Sequence, residues 1–527
     1  MNKNSYSEFS LPLLLSIVLI AGMFLGFKLS SSIHHPFKTS SSKTYLDEFV
    51  QLIDQHYVDS INTNELYHDG IEGIIQHLDP HTVYISKKDL PRINEQLEGN
   101  YSGIGIEFYT QNDSIIVSHV SADGPSFNKG IIAGDRIIQI NKQLIAGKKL
   151  KEEEIIQLIR GPENSNIQLK VLHLDQSMQT LSITRKQLTT SSILASYLIA
   201  PKTGYIAIKV FSENTYQEFH DQLNKLVKAG IQKLIIDVRD NPGGYMQAVT
   251  MIADEFISGK QLLLSTKGKH EQEKVYAKEK GIFEQGELII LVNENAASAS
   301  EILAGTMQDL DRGTIIGRRT YGKGLVQEQF ELPDQSAIRI TTARYYLPSG
   351  RCIQKSYQEG KQDYQEELNN RYMHGVLSSV DSDKKIQQNK FYTTKKHVVY
   401  EGEGIRPDIF VALDTSLFPV LEKVYEQNLI ENICHNYFFY HRQEFQTFTS
   451  AYEFHEKYTF SEELKQTIHN NMNALLGKVY LLNQQKIDLK INTLIKANLS
   501  RNLFGNNGKW LELNQQDPII LKALERH

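Results

Sequence analysis

The chain has 527 residues, of which 40% are hydrophobic and 23% are charged, and its formal net charge is −5. At about 150 residues per domain, this length predicts about three domains with substantial cores and excludes a largely disordered chain. The slight negative charge argues against a protein that coats nucleic acid. The two cysteines, Cys352 and Cys434, exclude a disulfide framework and a four-cysteine zinc site, while a single bridge between them stays open.

An apolar segment stands at the start of the chain. Residues 11–27 (LPLLLSIVLIAGMFLGF) carry no charge and approach the minimum length for crossing a bilayer. Because no small-residue cleavage site follows, we predict a signal anchor at 11–28, after a cytoplasmic tip at 1–10 and before a polar linker at 29–43. The expected location is a bacterial-type inner membrane, crossed once, with the catalytic part in the periplasm. Cleavage, which would release a secreted protein, stays open as the alternative.

Residues 44–100 have a helical pattern, because apolar residues recur at spacings of three and four: Leu46, Phe49, Val50, Ile53 and Tyr57. His77 and His81 are four residues apart, which is a spacing that metal-binding pairs use on helices. Pro80 lies between them and would break such a helix. We therefore predict a helical N-terminal region and no metal site.

Residues 101–186 contain short β-type runs separated by glycine turns, which predicts a compact domain of strands with one or two small helices. Two segments resemble a PDZ domain: Gly103-Ile104-Gly105-Ile106 resembles its carboxylate-binding loop, and residues 130–141 (GIIAGDRIIQIN) resemble its turn-and-strand core. In such a domain, free N–H groups hold a chain-terminal carboxylate and a strand edge pairs with the peptide. The resemblance implies a PDZ domain that binds protein C-termini.

From residue 187 to 414, strands and helices alternate, which predicts an α/β layer with parallel strands. Residues 356–396 are polar and indicate an insertion. Residues 415–527 have a helical pattern with one apolar stripe but no recognisable role; the stripe comprises Leu464, Ile468, Met472 and Leu475.

Three clusters in the α/β region could carry chemistry. Residues 237–244 (DVRDNPGG) end a strand in a glycine turn, whose N–H groups suit an oxyanion hole. Residues 293–301 (NENAASASE) place a serine at a helix start, where it is either an N-cap or a nucleophile. Residues 321–327 (YGKGLVQ) place a lysine between glycines. Burial would lower the pKa of its amine and let it accept the serine proton.

These clusters, in this order behind a PDZ-like domain, resemble the carboxyl-terminal processing proteases, also called tail-specific proteases. In that family a serine before Ala-Ser-Glu is followed 25 residues later by a lysine, and four residues beyond by a glutamine. The resemblance implies that Ser298 is the nucleophile, Lys323 the general base and Gln327 the residue that orients the lysine. It further implies a ClpP/crotonase-like protease core and oxyanion N–H groups from three residues: Ala299, Gly243 and Gly244.

The hypothesis is a serine endopeptidase of the cell envelope that recognises protein C-terminal tails through its PDZ domain and cleaves near them with a serine–lysine dyad. Its expected partners are proteins with exposed, apolar C-termini and, through the anchor, the membrane; a homo-oligomer stays open. No nucleic acid, metal or organic cofactor is expected. Two alternatives remain: a non-catalytic peptide-binding scaffold and a crotonase-like acyl-CoA enzyme, which shares the fold class.

Overall fold

The computed structural model describes residues 45–111, 114–278, 280–379 and 389–526. This part of the chain divides into two compact units, one ending at His77 and the other beginning at Leu78. The first unit contains two helices, α1 (Tyr45–His56) and α2 (Thr63–Gln76). Of the apolar residues whose spacing predicted α1, Val50 is buried, whereas Phe49 is 61% exposed.

The second unit begins with elements that lead into the PDZ segment: β1 (Val83–Ile85), α3 (Leu90–Glu98), β2 (Asn100–Gly103), β3 (Ile106–Gln111), β4 (Ser114–Val120), β5 (Arg136–Ile140), β6 (Gln143–Leu144), α4 (Glu152–Ile159), β7 (Asn166–Leu172), β8 (Met178–Thr184) and β9 (Lys186–Thr189). One sheet has the order β3-β4-β5-β7-β8, and β3 is one of its two edge strands. Its alternating apolar residues, such as Ile115 and Val117, form a buried core with Ile155 and Ile159 of α4.

The protease segment continues with β10 (Ile193–Ala200), β11 (Thr203–Ile208), α5 (Thr215–Lys228), β12 (Lys233–Asp237), α6 (Met246–Asp254), β13 (Leu262–Gly268), β14 (Gln272–Tyr276), β15 (Glu287–Val292), α7 (Ala299–Asp309), β16 (Thr314–Gly317), β17 (Leu325–Glu331), β18 (Ala337–Tyr346), α8 (Lys361–Met373), β19 (Lys390–Tyr392), β20 (Val398–Tyr400) and β21 (Ile409–Phe410). Six of these strands form a central sheet of order β10-β11-β12-β15-β16-β21, parallel except for β10. The predicted mixed α/β architecture is confirmed.

The central sheet is buried on both faces, as its continuous apolar strands require. Helices α5, α6 and α7 cover one face. Strands β12 and β15 end side by side, which places the residues that follow them at one edge of the sheet. A second sheet, β1-β18-β13-β14 with β17 beside β18, contributes the strand that follows the predicted lysine.

The C-terminal region is helical, as predicted: α9 (Phe418–Glu426), α10 (Leu429–Tyr440), α11 (Arg442–Phe445), α12 (Ala451–Lys457), α13 (Glu462–Leu476), α14 (Lys478–Asn514) and α15 (Pro518–Leu524). The stripe on α13, including Leu464 and Met472, is buried in the core that these helices form. The end of α14 and the whole of α15 have a different partner. Leu511, Ile519 and Ile520 pack against the second face of the central sheet.

The predicted signal anchor, residues 11–28, lies outside the described residues. Within the ranges that the structure describes, no helix combines the length and the apolar composition that crossing a bilayer demands. The predicted single-pass anchoring in an inner membrane is therefore wrong on this finding. Cys352 and Cys434 are both free, so they form no bridge.

Candidate active site

Ser298 lies where the chain passes from β15 into α7. Its φ of 54° and ψ of −113° fall outside the regions that non-glycine residues favour, so this turn is strained. Its buried neighbours, Ala297 and Ala299, are small and leave room for another chain. Ser300 is also buried and donates its hydroxyl to the carbonyl of Asn241 at 2.9 Å, which commits it to a structural role.

The carboxylate of Glu301 connects two parts of the chain: residues 293–301, here called the serine segment, and residues 321–327, the lysine segment. One of its oxygens accepts the N–H groups of Ser298 and Lys323, each at 2.8 Å. The other accepts the N–H of Gly322 at 2.7 Å and the hydroxyl of Thr320 at 2.5 Å. Burial raises the pKa of Glu301, and these four hydrogen bonds oppose that rise. A single buried side chain therefore holds the backbones of both predicted catalytic residues.

Lys323 precedes β17, and its ammonium donates to Oε1 of Gln327 at 2.7 Å. The amide of Gln327 donates in turn to the carbonyl of His81 at 2.5 Å. Burial, followed by the positive charge of Arg339, lowers the pKa of Lys323 to about 8. Among the hydrogen bonds of the described residues, none joins Lys323 Nζ to Ser298 Oγ. The structure thus places Lys323 and Gln327 in direct contact and connects Lys323 to Ser298 through shared neighbours.

Tyr345 is a second shared neighbour of the serine and the lysine. Its hydroxyl lies 2.8 Å from the carbonyl of Lys323 and 3.3 Å from the carbonyl of Ser298. Burial holds the pKa of Tyr345 well above its usual range, so the phenol stays a neutral donor. Tyr345 and Glu301 therefore both hold the two segments together. Tyr345 donates hydrogen bonds to backbone carbonyls, and Glu301 accepts hydrogen bonds from backbone N–H groups.

The glycine turn after β12 lies against Ser298. A Cβ on Gly243 would stand 2.7 Å from the Cβ of Ser298, so no other residue fits there. The N–H of Gly243 donates to Oδ1 of Asn241 at 2.9 Å and is already used. No hydrogen bond among the described residues uses the N–H of Gly244 or of Ala299, which are the two predicted oxyanion donors left available.

Comparison with known proteins identifies the family to which the chain belongs. Residues 202–364 match Peptidase family S41, and residues 92–172 match the PDZ domain. Carboxy-terminal processing protease CtpB of Bacillus subtilis is 30% identical over 314 residues, or 59% of this chain and 65% of that protein, just under two thirds of its length. The carboxy-terminal-processing protease of Bartonella bacilliformis is 30% identical over 351 residues, or 64% of this chain and 80% of that protein. The chain belongs to the carboxy-terminal processing proteases of peptidase family S41.

Membership of the S41 family supports a proteolytic function. Among solved structures, the photosystem II D1 C-terminal processing protease is 22% identical and covers 72% of this chain and 97% of its own, with a TM-score of 0.36. That score is too low for any feature to be transferred. The roles of individual residues in this S41 member are therefore inferred from its own structure alone.

The PDZ loop of this S41 chain has the form that a carboxylate ligand needs. The carbonyls of Ile104 and Gly105 accept the N–H groups of Ser126 at 3.1 Å and Ser121 at 2.9 Å, which fixes the loop. No hydrogen bond among the described residues uses the N–H groups of Ile104 or Gly105. Gly105 has a φ of 74°, and a Cβ there would stand 2.7 Å from the Cα of Gly124. Only glycine fits this turn.

Sequence reasoning missed residues that contact the predicted serine and lysine segments. Glu301 had an available signal, because a serine followed three residues later by glutamate is the pattern of a capping box. His81 was considered only as half of a metal-binding pair, and no sequence pattern pointed to its partner: its Nε2 lies 2.7 Å from the hydroxyl of Tyr364 on α8, far away in the chain. The ammonium of Lys355 lies 4.1 Å from the ring centres of both Tyr321 and Tyr364, and so fixes α8 beside the lysine segment.

Proposed function

We propose that this S41 chain is a serine endopeptidase in which Ser298 is the nucleophile and Lys323 is the general base. The observation that carries the proposal is the shared carboxylate of Glu301, which accepts hydrogen bonds from the backbones of both residues. The lowered pKa of Lys323, about 8, supports it, because only a neutral amine accepts a proton. The assignment of the core to the ClpP/crotonase-like class stays a prediction.

The proposed reaction begins when the neutral amine of Lys323 takes the proton of the Ser298 hydroxyl. The serine oxygen forms a bond to the substrate carbonyl carbon, and the N–H groups of Ala299 and Gly244 stabilise the resulting oxyanion. The ammonium of Lys323 then gives its proton to the departing amine as the peptide bond breaks. Water attacks the acyl-enzyme by the same path, with Lys323 again taking and returning a proton.

This reaction requires a hydrogen bond between Ser298 Oγ and Lys323 Nζ, and the hydrogen bonds of the described residues do not include one. Catalytic hydrogen bonds in free enzymes are often loose and become short only with substrate bound. Gln327 supports such a contact, because its hydrogen bond at 2.7 Å restricts the ammonium to one direction. We infer that substrate binding closes the remaining gap.

Substrate selection is proposed to begin at the PDZ domain. The unpaired N–H groups of Ile104 and Gly105 suit a chain-terminal carboxylate, and the edge strand β3 suits an extended peptide. Peptides with a free, apolar C-terminus should therefore bind, and their C-terminally amidated counterparts should bind at least about tenfold more weakly. Fluorescence anisotropy with such a matched peptide pair measures the difference. Equal binding of the two forms would remove the carboxylate from the proposal.

The catalytic proposal is tested with the full chain and a quenched protein substrate that has an apolar C-terminus. Ser298→Ala and Lys323→Ala should each reduce kcat at least about 1,000-fold. Ser258→Ala and Lys274→Ala, which change exposed side chains of the same unit, should match wild type. Unchanged cleavage in the first two variants contradicts the mechanism. A wild type that binds the peptide but neither cleaves nor reacts with a fluorophosphonate probe would instead be a peptide-binding scaffold.

A further inference from the structure

The C-terminal helices reach the strand that leads into the active-site turn. The N-terminal end of α15 lies over the second face of the central sheet, where Ile519 and Ile520 are buried with Tyr205. The residue before this helix is Asp517, whose Oδ1 accepts the N–H of Ile519 at 2.8 Å and of Ile520 at 3.3 Å. One carboxylate oxygen of Asp517 thus caps α15, and the other is available for a second partner.

That partner is Arg239, in the glycine turn that ends beside Ser298. The guanidinium Nη1 of Arg239 donates to Oδ2 of Asp517 at 2.6 Å. Its Nε and Nη2 donate to the carboxylate of Asp237, with the shortest contact at 2.6 Å. Asp237 is 3% exposed and also accepts the hydroxyl of Tyr205 at 2.8 Å. Arg239 therefore bridges two carboxylates, one at the end of β12 and one in the C-terminal region.

Contacts anchor the turn between Asp237 and Gly244 along its whole length. Arg239 anchors its first part through Asp237 and Asp517. Asp240, at a φ of 58°, anchors its middle by accepting the side-chain amides of two asparagines in the serine segment, each at 2.8 Å: Asn293 and Asn295. The carbonyl of Asn241 anchors its last part by accepting the N–H of Ala297 at 3.0 Å. Asp517 is the anchor that comes from outside the matched S41 segment, residues 202–364.

We propose that Asp517 is a positioning residue for catalysis, because its ion pair with Arg239 holds the turn that presents the oxyanion N–H group of Gly244 to Ser298. The inference rests on the proposed function, in which that turn stabilises the oxyanion. Asp517 touches no reacting atom and acts through Arg239 and the turn. Without the ion pair to Asp517, Arg239 keeps its hydrogen bonds to Asp237 but no longer has a partner for Nη1. The turn next to Ser298 then becomes more mobile.

Asp517→Asn separates the two roles of this side chain. The asparagine keeps an oxygen that caps α15, since Asn is as good an N-cap as Asp, but it presents an amide instead of a carboxylate oxygen to Arg239. A displacement of about 1 Å at a reacting centre costs about 100-fold in rate, so we expect kcat to fall by between about 10- and 100-fold. KM should stay within about twofold of wild type. The matched control is Glu525→Gln, which removes one negative charge next to the other end of α15.

Measurements at pH 9, with active sites counted by a fluorophosphonate probe, keep general-base effects and misfolded protein out of the comparison. The phosphonylation rate should fall together with kcat, because that reaction also builds negative charge on oxygen. The melting temperature should fall below that of Glu525→Gln, because the Arg239 side chain is only 13% exposed and loses a charged partner, so kcat is compared per active site. Asp517→Glu should recover part of the lost kcat, and Arg239→Lys, which keeps the charge but not the planar fork, should show the same selective fall in kcat.

Several outcomes would overturn the inference. A kcat for Asp517→Asn equal to that of Glu525→Gln removes the positioning role. A lowered melting temperature in both Asp517→Asn and Asp517→Ser, which also retains a capping oxygen, with normal kcat per active site, makes Asp517 a structural residue only. If wild-type cleavage does not depend on Ser298, the proposed function has failed, and this is visible before any Asp517 variant is measured.

Discussion

The pKa of Lys323 makes the pH profile the sharpest test of the dyad. Lys323 is the proposed base, and a base works only when deprotonated, so kcat/KM should rise as pH increases through the pKa of about 8. The neutral fraction of such a group is about 9% at pH 7 and about 91% at pH 9, which predicts a rise of about tenfold followed by a plateau. A solvated lysine with a pKa near 10.5 would give a rise of about 100-fold over the same interval and no plateau.

The assay is the initial rate of hydrolysis of a quenched peptide at constant ionic strength from pH 6 to pH 10. Arg339→Gln is the informative variant, because the positive charge of Arg339 lowers the pKa of Lys323. Removing that charge should move the midpoint to higher pH and leave the plateau rate close to wild type. Arg344→Gln is the matched control on β18: its guanidinium donates to Tyr357 at 3.0 Å, and its midpoint should not move.

Two results would refute the reasoning. A profile that is flat between pH 7 and pH 9 would show that no group with the titration of Lys323 controls the rate. A midpoint that moves to lower pH in Arg339→Gln would contradict the sign of the electrostatic argument. His81 does not confuse the reading, because burial and then the charge of Lys323 lower the pKa of His81 to about 4, below the range tested.

Other predictions concern the supports of the site. Glu301→Gln replaces one of two accepting oxygens with an amide donor, although four hydrogen-bond donors face this side chain. We expect kcat to fall about 100-fold in protein that circular dichroism shows to be folded. Gly243→Ala should abolish fluorophosphonate labelling of Ser298, because its Cβ would stand 2.7 Å from the serine Cβ; Gly73→Ala, with no atom within 4 Å, should label normally. The unfolding free energy should decline as pH falls from about 6.5 to about 4, because His81 takes up a proton only when unfolded, and urea titrations of His81→Gln should show a smaller decline.

The sequence was most informative about short segments with a distinctive residue spacing. The glycine loop at residues 103–106 and the clusters around Ser298 and Lys323 lie at the ends of strands, where a few residues set the local backbone. Residue spacing was therefore enough to name them, and the PDZ domain, the S41 family and the mixed α/β architecture are confirmed. The predicted single-pass membrane location was wrong, because no helix in the ranges that the structure describes is long and apolar enough to cross a bilayer.

Residues that act across long distances in the chain were not predictable in this way. Glu301 was visible as part of a motif, but its bonds to the lysine segment depend on how the strand-end loops fold against each other. The pairs His81–Tyr364 and Arg239–Asp517 each join residues more than 270 positions apart. No local pattern encodes such a contact, since periodicity reports which side of an element is buried and not which partner buries it.

The packing of part of residues 415–527 on the central sheet could have been predicted from the sequence. A parallel sheet needs cover on both faces, and the connecting helices α5, α6 and α7 all lie on one. The second face therefore requires helices from elsewhere, and the C-terminal region was a long helical stretch with no assigned partner. That reasoning would have placed part of it on the sheet. It would not have identified Asp517, because the position of its carboxylate over Arg239 follows from how Ile519 and Ile520 pack on the strands.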